Sequence, residues 1–116
     1  MTQELDLTRP ILELGVEDWY GLWELSDEVA KSVGANPDVE FRKQLREKLV
    51  ELMDRGLLEA AMWSHDPPKP LTPQDVRDLA LDSKFWESPI DSPSPDQVRV
   101  AATAMGSREY YGGDGR

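Results

Sequence analysis

Leu45-Arg46-Glu47-Lys48-Leu49-Val50-Glu51-Leu52-Met53-Asp54-Arg55-Gly56-Leu57-Leu58-Glu59-Ala60-Ala61-Met62 changes its period halfway along. Before Gly56, the apolar residues Leu45, Leu49, Leu52 and Met53 recur at the spacing of one helix face. After Gly56, Leu58 to Trp63 alternates weakly and fits a strand. Glycine marks the change because it adopts the left-handed conformation that ends a helix without a side-chain penalty. Further along, from Gln97 to Met105, the pattern is strictly two-periodic. Val98, Val100, Ala102 and Ala104 fall on one face and Arg99 and Thr103 on the other, as in a half-buried strand. Gly106-Ser107 then permits a turn before Tyr110-Tyr111.

On the N-terminal side, Asn36-Pro37 reads as a cap and a first helical position, since Asn accepts from free amides and proline has no amide to satisfy. The helix is expected over Pro37–Arg55, with Phe41 joining its apolar face. An earlier helix is expected from Val16 to Val33, where Val16, Trp19, Tyr20, Trp23, Ala30 and Val33 recur near the 3.6-residue period, with Leu22 and Val29 beside them. Glu17 and Asp18 sit in its first turn, where the dipole favours acids, and Gly34 ends it. Gly21 and Ser26 are the points at which it can bend or divide. The first eleven residues read equally as an arm, a strand or a short helix.

Between the two strand-like segments, His65-Asp66-Pro67-Pro68-Lys69-Pro70 reads as a stiff extended loop. Thr72-Pro73-Gln74-Asp75 opens a short helix in capping-box style, with Val76, Leu79 and Ala80 as its apolar face. Phe85-Trp86 is expected to close this insertion, about 65–96, onto the core. Ser88 to Pro95 is a proline-serine connector. Residues 1–111 read as one domain and 112–116 as a flexible tail without apolar surface to bury.

The order helix, helix, strand, excursion, strand resembles a winged helix. Arg55-Gly56-Leu57-Leu58 looks like the glycine-led exit from a recognition helix, and Thr103-Ala104-Met105-Gly106 with Tyr110 looks like the final wing strand of bacterial winged-helix regulators. The likeness covers about two thirds of the chain and departs from the pattern in its long, helix-bearing insertion. It implies an α+β fold with two to three core helices and a small antiparallel sheet. It also implies that the exposed face of Pro37–Arg55 would enter a DNA major groove, with Arg42, Lys43 and Arg46 as phosphate or base contacts. Fold alone does not give function.

Charge points elsewhere. The 116 residues carry 23 acids against 13 bases, a formal net charge of −10. Such a field repels phosphate backbones and anionic lipid and favours basic partners. Residues 1–36 hold eight acids and two bases, and residues 56–116 hold ten and six, whereas Pro37–Arg55 holds five of each. A DNA reader ordinarily displays a basic stripe, so these cations read more readily as ordinary helix ion pairs. Dimerisation would concentrate two such faces without reversing the net charge. No cysteine is present, which excludes disulfides and thiolate chemistry and fits a reducing cytoplasm. Neither a signal peptide nor a membrane-spanning run is visible.

Catalysis finds little support. Ser64-His65-Asp66 holds the letters of a hydrolase triad, but consecutive residues do not meet in the orientations that triad needs. Asp75, Asp78 and Asp82 share a helix face and read as solvated carboxylates rather than a cation site. No cofactor or metal is implied. The aromatics are more suggestive, because Trp and Tyr concentrate in binding hot spots. Trp19 and Trp23 at i, i+4 spacing read as a core face, whereas Trp63 and Trp86, with His65, border the proline loop and are the candidate protein-binding residues. The expected protein is therefore a non-enzymatic, acidic cytoplasmic module binding a basic protein, in an immunity-, adaptor- or antirepressor-like role. The alternative is a DNA-binding regulator using Arg42, Lys43 and Arg46.

Overall fold

The computed structural model describes residues 6–63, 67–87 and 97–112. The Ser64-His65-Asp66 run, the Ser88–Pro95 connector and residues 113–116 of the expected tail lie outside the described residues. The fold is α+β. In chain order it comprises α1 (Thr8–Glu17), β1 (Tyr20–Gly21), α2 (Leu22–Val33), α3 (Val39–Asp54), β2 (Leu58–Met62), β3 (Lys69–Leu71), α4 (Pro73–Leu79), a 3₁₀ turn (Ser83–Trp86), β4 (Val98–Ala102) and α5 (Ala104–Gly112). The strands form one antiparallel sheet in the order β1-β4-β2-β3. Leu58 lies opposite Ala102, Ala60 opposite Val100 and Met62 opposite Val98.

The inner face of the sheet follows from strand alternation, with Leu58, Ala60, Val98 and Val100 turned toward the helices. They join Ile11, Leu12, Leu22, Leu25, Val29, Leu45, Leu49 and Leu52 in the buried core. At roughly 1.5–3 kcal/mol for each fully buried large aliphatic, this cluster is the main source of stability.

The junction after α3 has the expected glycine stop. Gly56 adopts φ +76°, its N–H donates to the Met53 carbonyl at 2.9 Å, and the Leu57 N–H donates to the Leu52 carbonyl at 2.9 Å. This paired closure satisfies the last carbonyls of the helix and turns the chain into β2. The start of α3 differs from expectation: Asp38, not Asn36, is the cap, its carboxylate accepting from the Phe41 N–H at 2.9 Å. Pro37 therefore precedes the cap.

Three other expectations are corrected. The single helix Val16–Val33 is two helices, because Asp18 is fully extended (φ −168°, ψ −179°) and Tyr20 and Gly21 pair with Val100 and Arg99 of β4. Sheet pairing overrides helical periodicity here, and Trp19 and Trp23 share no helix face. Lys69 and Pro70 belong to β3 rather than to a loop; β3 is an edge strand, the position in a sheet that tolerates proline. The last strand stops at Ala102; α5 begins at Ala104, so Gly106-Ser107, expected as a turn, and Gly112, expected in the tail, are helical. The Thr103 hydroxyl donates to the Gly56 carbonyl at 2.6 Å and accepts from the Gly106 N–H at 3.0 Å, which caps the new helix and ties it to the end of α3.

Within the insertion, the helix start at Thr72 and the burial of Phe85-Trp86 follow expectation. Thr72 and Asp75 form the capping box of α4, with exchanged bonds of 3.1 and 2.9 Å. Phe85 and Trp86 are buried in the core cluster. No helix among the described residues is long and apolar enough to cross a membrane.

Candidate protein-binding surfaces

The outward face of the sheet carries an aromatic cluster. Alternation puts Glu59, Ala61 and Arg99 on this face, and Trp63 extends it beyond β2. Trp63 is anchored by its backbone N–H, which donates to the Gln97 carbonyl at 2.8 Å. Trp63 as a whole is 40% exposed. The Arg99 guanidinium lies 5.0 Å from the ring centroid, while its Nε and Nη2 donate to the Gln97 side-chain oxygen at 3.1 and 2.8 Å. Trp19 meets Trp63 edge to face, with centroids 6.0 Å apart at 61°. Two rings and a fixed guanidinium thus form a pre-ordered surface, and edge-to-face packing of this kind adds about 0.5–1.5 kcal/mol beyond area burial.

Carboxylates lie close to that surface in sequence and register. Glu17, Asp18 and Glu59 are exposed beside it, and the Asp18 carboxylate accepts from the Trp19 N–H at 2.7 Å. Tyr20, paired with Val100, lies on the opposite, helix-facing side of the sheet, where it packs against the core. Partial burial raises its phenol pKa above the ordinary value, and Glu17, Glu24, Glu28 and Asp18 push it further up.

The three cations read as DNA contacts lie on α3, where the structure half-buries Arg42 and Arg46 and leaves Lys43 exposed. α4 packs on α3, and Arg77 of α4 reaches Glu47 at 3.6 Å. Val50, on the side of α3 away from Leu45 and Leu52, is consequently only 3% exposed. Arg42 and Arg46 are half-buried, and the Nε of each is enclosed without an acceptor. Arg46 contacts Glu47 at 3.4 Å, and the Arg42 guanidinium lies 5.9 Å from the Trp86 ring. The exposed residues of α3 are Val39, Glu40, Lys43, Glu47, Glu51 and Asp54, four of them acids. Arg42 makes no ion pair among the described residues, and the Asp38 carboxylate one turn before it is engaged at the helix cap.

Trp63 and Trp86 occupy different surfaces. Trp86 is buried, with its indole N–H donating to the Ala80 carbonyl at 2.8 Å, so its ring serves as a wall rather than an anchor that can enter a partner. His65 lies outside the described residues. Arg42, Lys43 and Arg46 come together with Trp86, Val39, Ala80 and Leu81 around an open groove of about 320 Å³.

Asp75 and Asp82 cap α4 and the 3₁₀ turn, and Asp78 accepts from Gln74 at 2.9 Å. Among the described residues, no group of three acidic, histidine or cysteine side chains is arranged to hold a metal. Sequence reasoning missed Trp19 as a partner of Trp63, because it placed Trp19 on a helix, and it missed Arg99, whose alternation signal was read only as solvent-facing. Compared with protein-family models, curated proteins and solved structures, the chain matches none.

Proposed function

We propose that this chain is a non-enzymatic protein-binding module with a winged-helix-like core, and that its aromatic sheet face engages a partner with a basic surface. The observation that carries the reading is Trp63, exposed on the sheet yet fixed between Trp19 and Arg99. An exposed tryptophan held in place loses little conformational freedom on binding, which suits it as an interface anchor. The neighbouring Asp18 and Glu59 carboxylates and the net charge of −10 favour encounter with a cationic surface.

The order helix, strand, helix, helix, strand, insertion, strand, with β4 between β1 and β2, supports the winged-helix-like part of this reading. The acidic exposed ridge of α3 and the packing of α4 on its flank weigh against a duplex reader, whose recognition helix must present a free, basic face to the groove.

The test compares capture from native lysate by the wild-type chain, Trp63→Ala and Lys43→Ala. A basic protein should be retained by the wild type and Lys43→Ala, elute with salt and be lost by Trp63→Ala. Salt-sensitive capture that survives Trp63→Ala would sink this assignment, as would the absence of any such partner.

A further inference from the structure

We propose that the groove between the N-terminal half of α3 and the junction of α4 with the 3₁₀ turn is a second docking site, for an acidic peptide segment bearing an apolar anchor residue. The surface is unlike the rest of the chain in charge. Arg42, Lys43 and Arg46 line it within a protein of net charge −10. Among the described residues, neither Arg42 nor Lys43 has a carboxylate at ion-pair distance.

Three of the nearby acids are already engaged, while Glu40 stands exposed on the solvent side of α3. Asp38 caps α3, Glu47 meets both Arg46 and Arg77, and Asp82 accepts from the Lys84 N–H. A carboxylate-bearing ligand would therefore find free cationic donors, and bonds of this charge-assisted type are roughly twice as strong as neutral ones.

The apolar half of the argument is equally local. Val39 is 83% exposed and Leu81 67%, and both border the groove with Ala80 and the Trp86 ring behind them. Two large aliphatic side chains left open beside three cations complement a segment that alternates acids with an apolar residue. The volume of about 320 Å³ admits one or two side chains rather than a folded domain. Duplex DNA is disfavoured because its backbone would also meet Glu40, Glu47 and Glu51 on the exposed side of the same helix. This site lies apart from the Trp63 face, so the two can fail independently.

Fluorescence anisotropy with the full chain tests the proposal, using a labelled short peptide of alternating glutamate and leucine. Two control peptides replace all glutamates by glutamine or all leucines by serine. Both controls and the Lys43→Glu and Leu81→Asp variants should bind at least about tenfold more weakly, a loss typical of removing one interface anchor. Lys43 and Leu81 are exposed, so these changes leave folding intact, as circular dichroism would verify. Trp63→Ala should bind the peptide like the wild type. No binding of the glutamate-leucine peptide, or binding unaffected by Lys43→Glu, overturns the proposal. Tighter binding of duplex DNA at the same ionic strength, or self-association abolished by Leu81→Asp, would reassign the groove to nucleic acid or to a second copy and likewise overturn it.

Discussion

Ser26 shows how much one atom can matter. It is buried in α2 among the core leucines, and its hydroxyl has no hydrogen-bond partner. Desolvating an unpaired hydroxyl opposes folding, so Ser26→Ala is expected to stabilise the chain by about 1 kcal/mol in urea titration; a loss of stability would mean the hydroxyl is satisfied. Gly106 is the converse case, since a Cβ there would run into the Leu57 carbonyl. Gly106→Ala should cost about 1–3 kcal/mol as overpacking does, and an unchanged urea midpoint would contradict the close approach of α5 to the end of α3. Tyr20 carries a pH dependence. Its pKa is raised in the fold, so its contribution is whole below the unfolded phenol pKa and is lost as pH rises through the folded value. Alkaline titration should therefore destabilise the wild type more than Tyr20→Phe.

Among the elements, α4 gives the clearest test of a local signal. Thr72→Ala removes one half of the capping box and should cost about 1 kcal/mol, measurable by chemical denaturation. Hydrogen bonds from the Thr72 backbone and hydroxyl lower the Asp75 pKa. Its contribution to the fold is present above the unfolded carboxylate pKa and is lost as pH falls through the lowered value. Amide exchange in α4 should therefore accelerate in that acid window in the wild type, and not in Asp75→Asn.

The same element was legible in the sequence because its cap, proline and apolar face are all local, as were the Gly56 stop and β2. Misread segments were those decided by distant partners. Asp18 to Gly21 looks helical until β4 is present to pair with it, and Lys69-Pro70 looks like loop until β2 offers an edge. Thr103 alternates like a strand residue until the Gly56 carbonyl turns it into a cap. At the proposed site, Trp63 was singled out from the sequence as an aromatic bordering the proline loop, whereas its contacts with Trp19 and Arg99 arise from sheet register that no local pattern encodes.

For the whole molecule, the charge distribution and the fold have to be weighed together. The helix order that suggests a DNA reader is combined with an α3 whose exposed residues include four acids and one lysine, while Arg42 and Arg46 are drawn toward the insertion. Duplex DNA should accordingly show no salt-dependent binding in a gel shift at low ionic strength, where phosphate contacts are strongest. Binding that weakens steeply with salt and with Arg46→Ala would restore the regulator reading. The central claim is that Trp63 lies in the interface with a basic protein. It is tested most directly by replacing Trp63 with a photo-crosslinking amino acid and illuminating the full chain in native lysate. The account predicts a covalent adduct with a basic protein that disappears at high salt. Crosslinking to nucleic acid, or no adduct at all from this position, would contradict it.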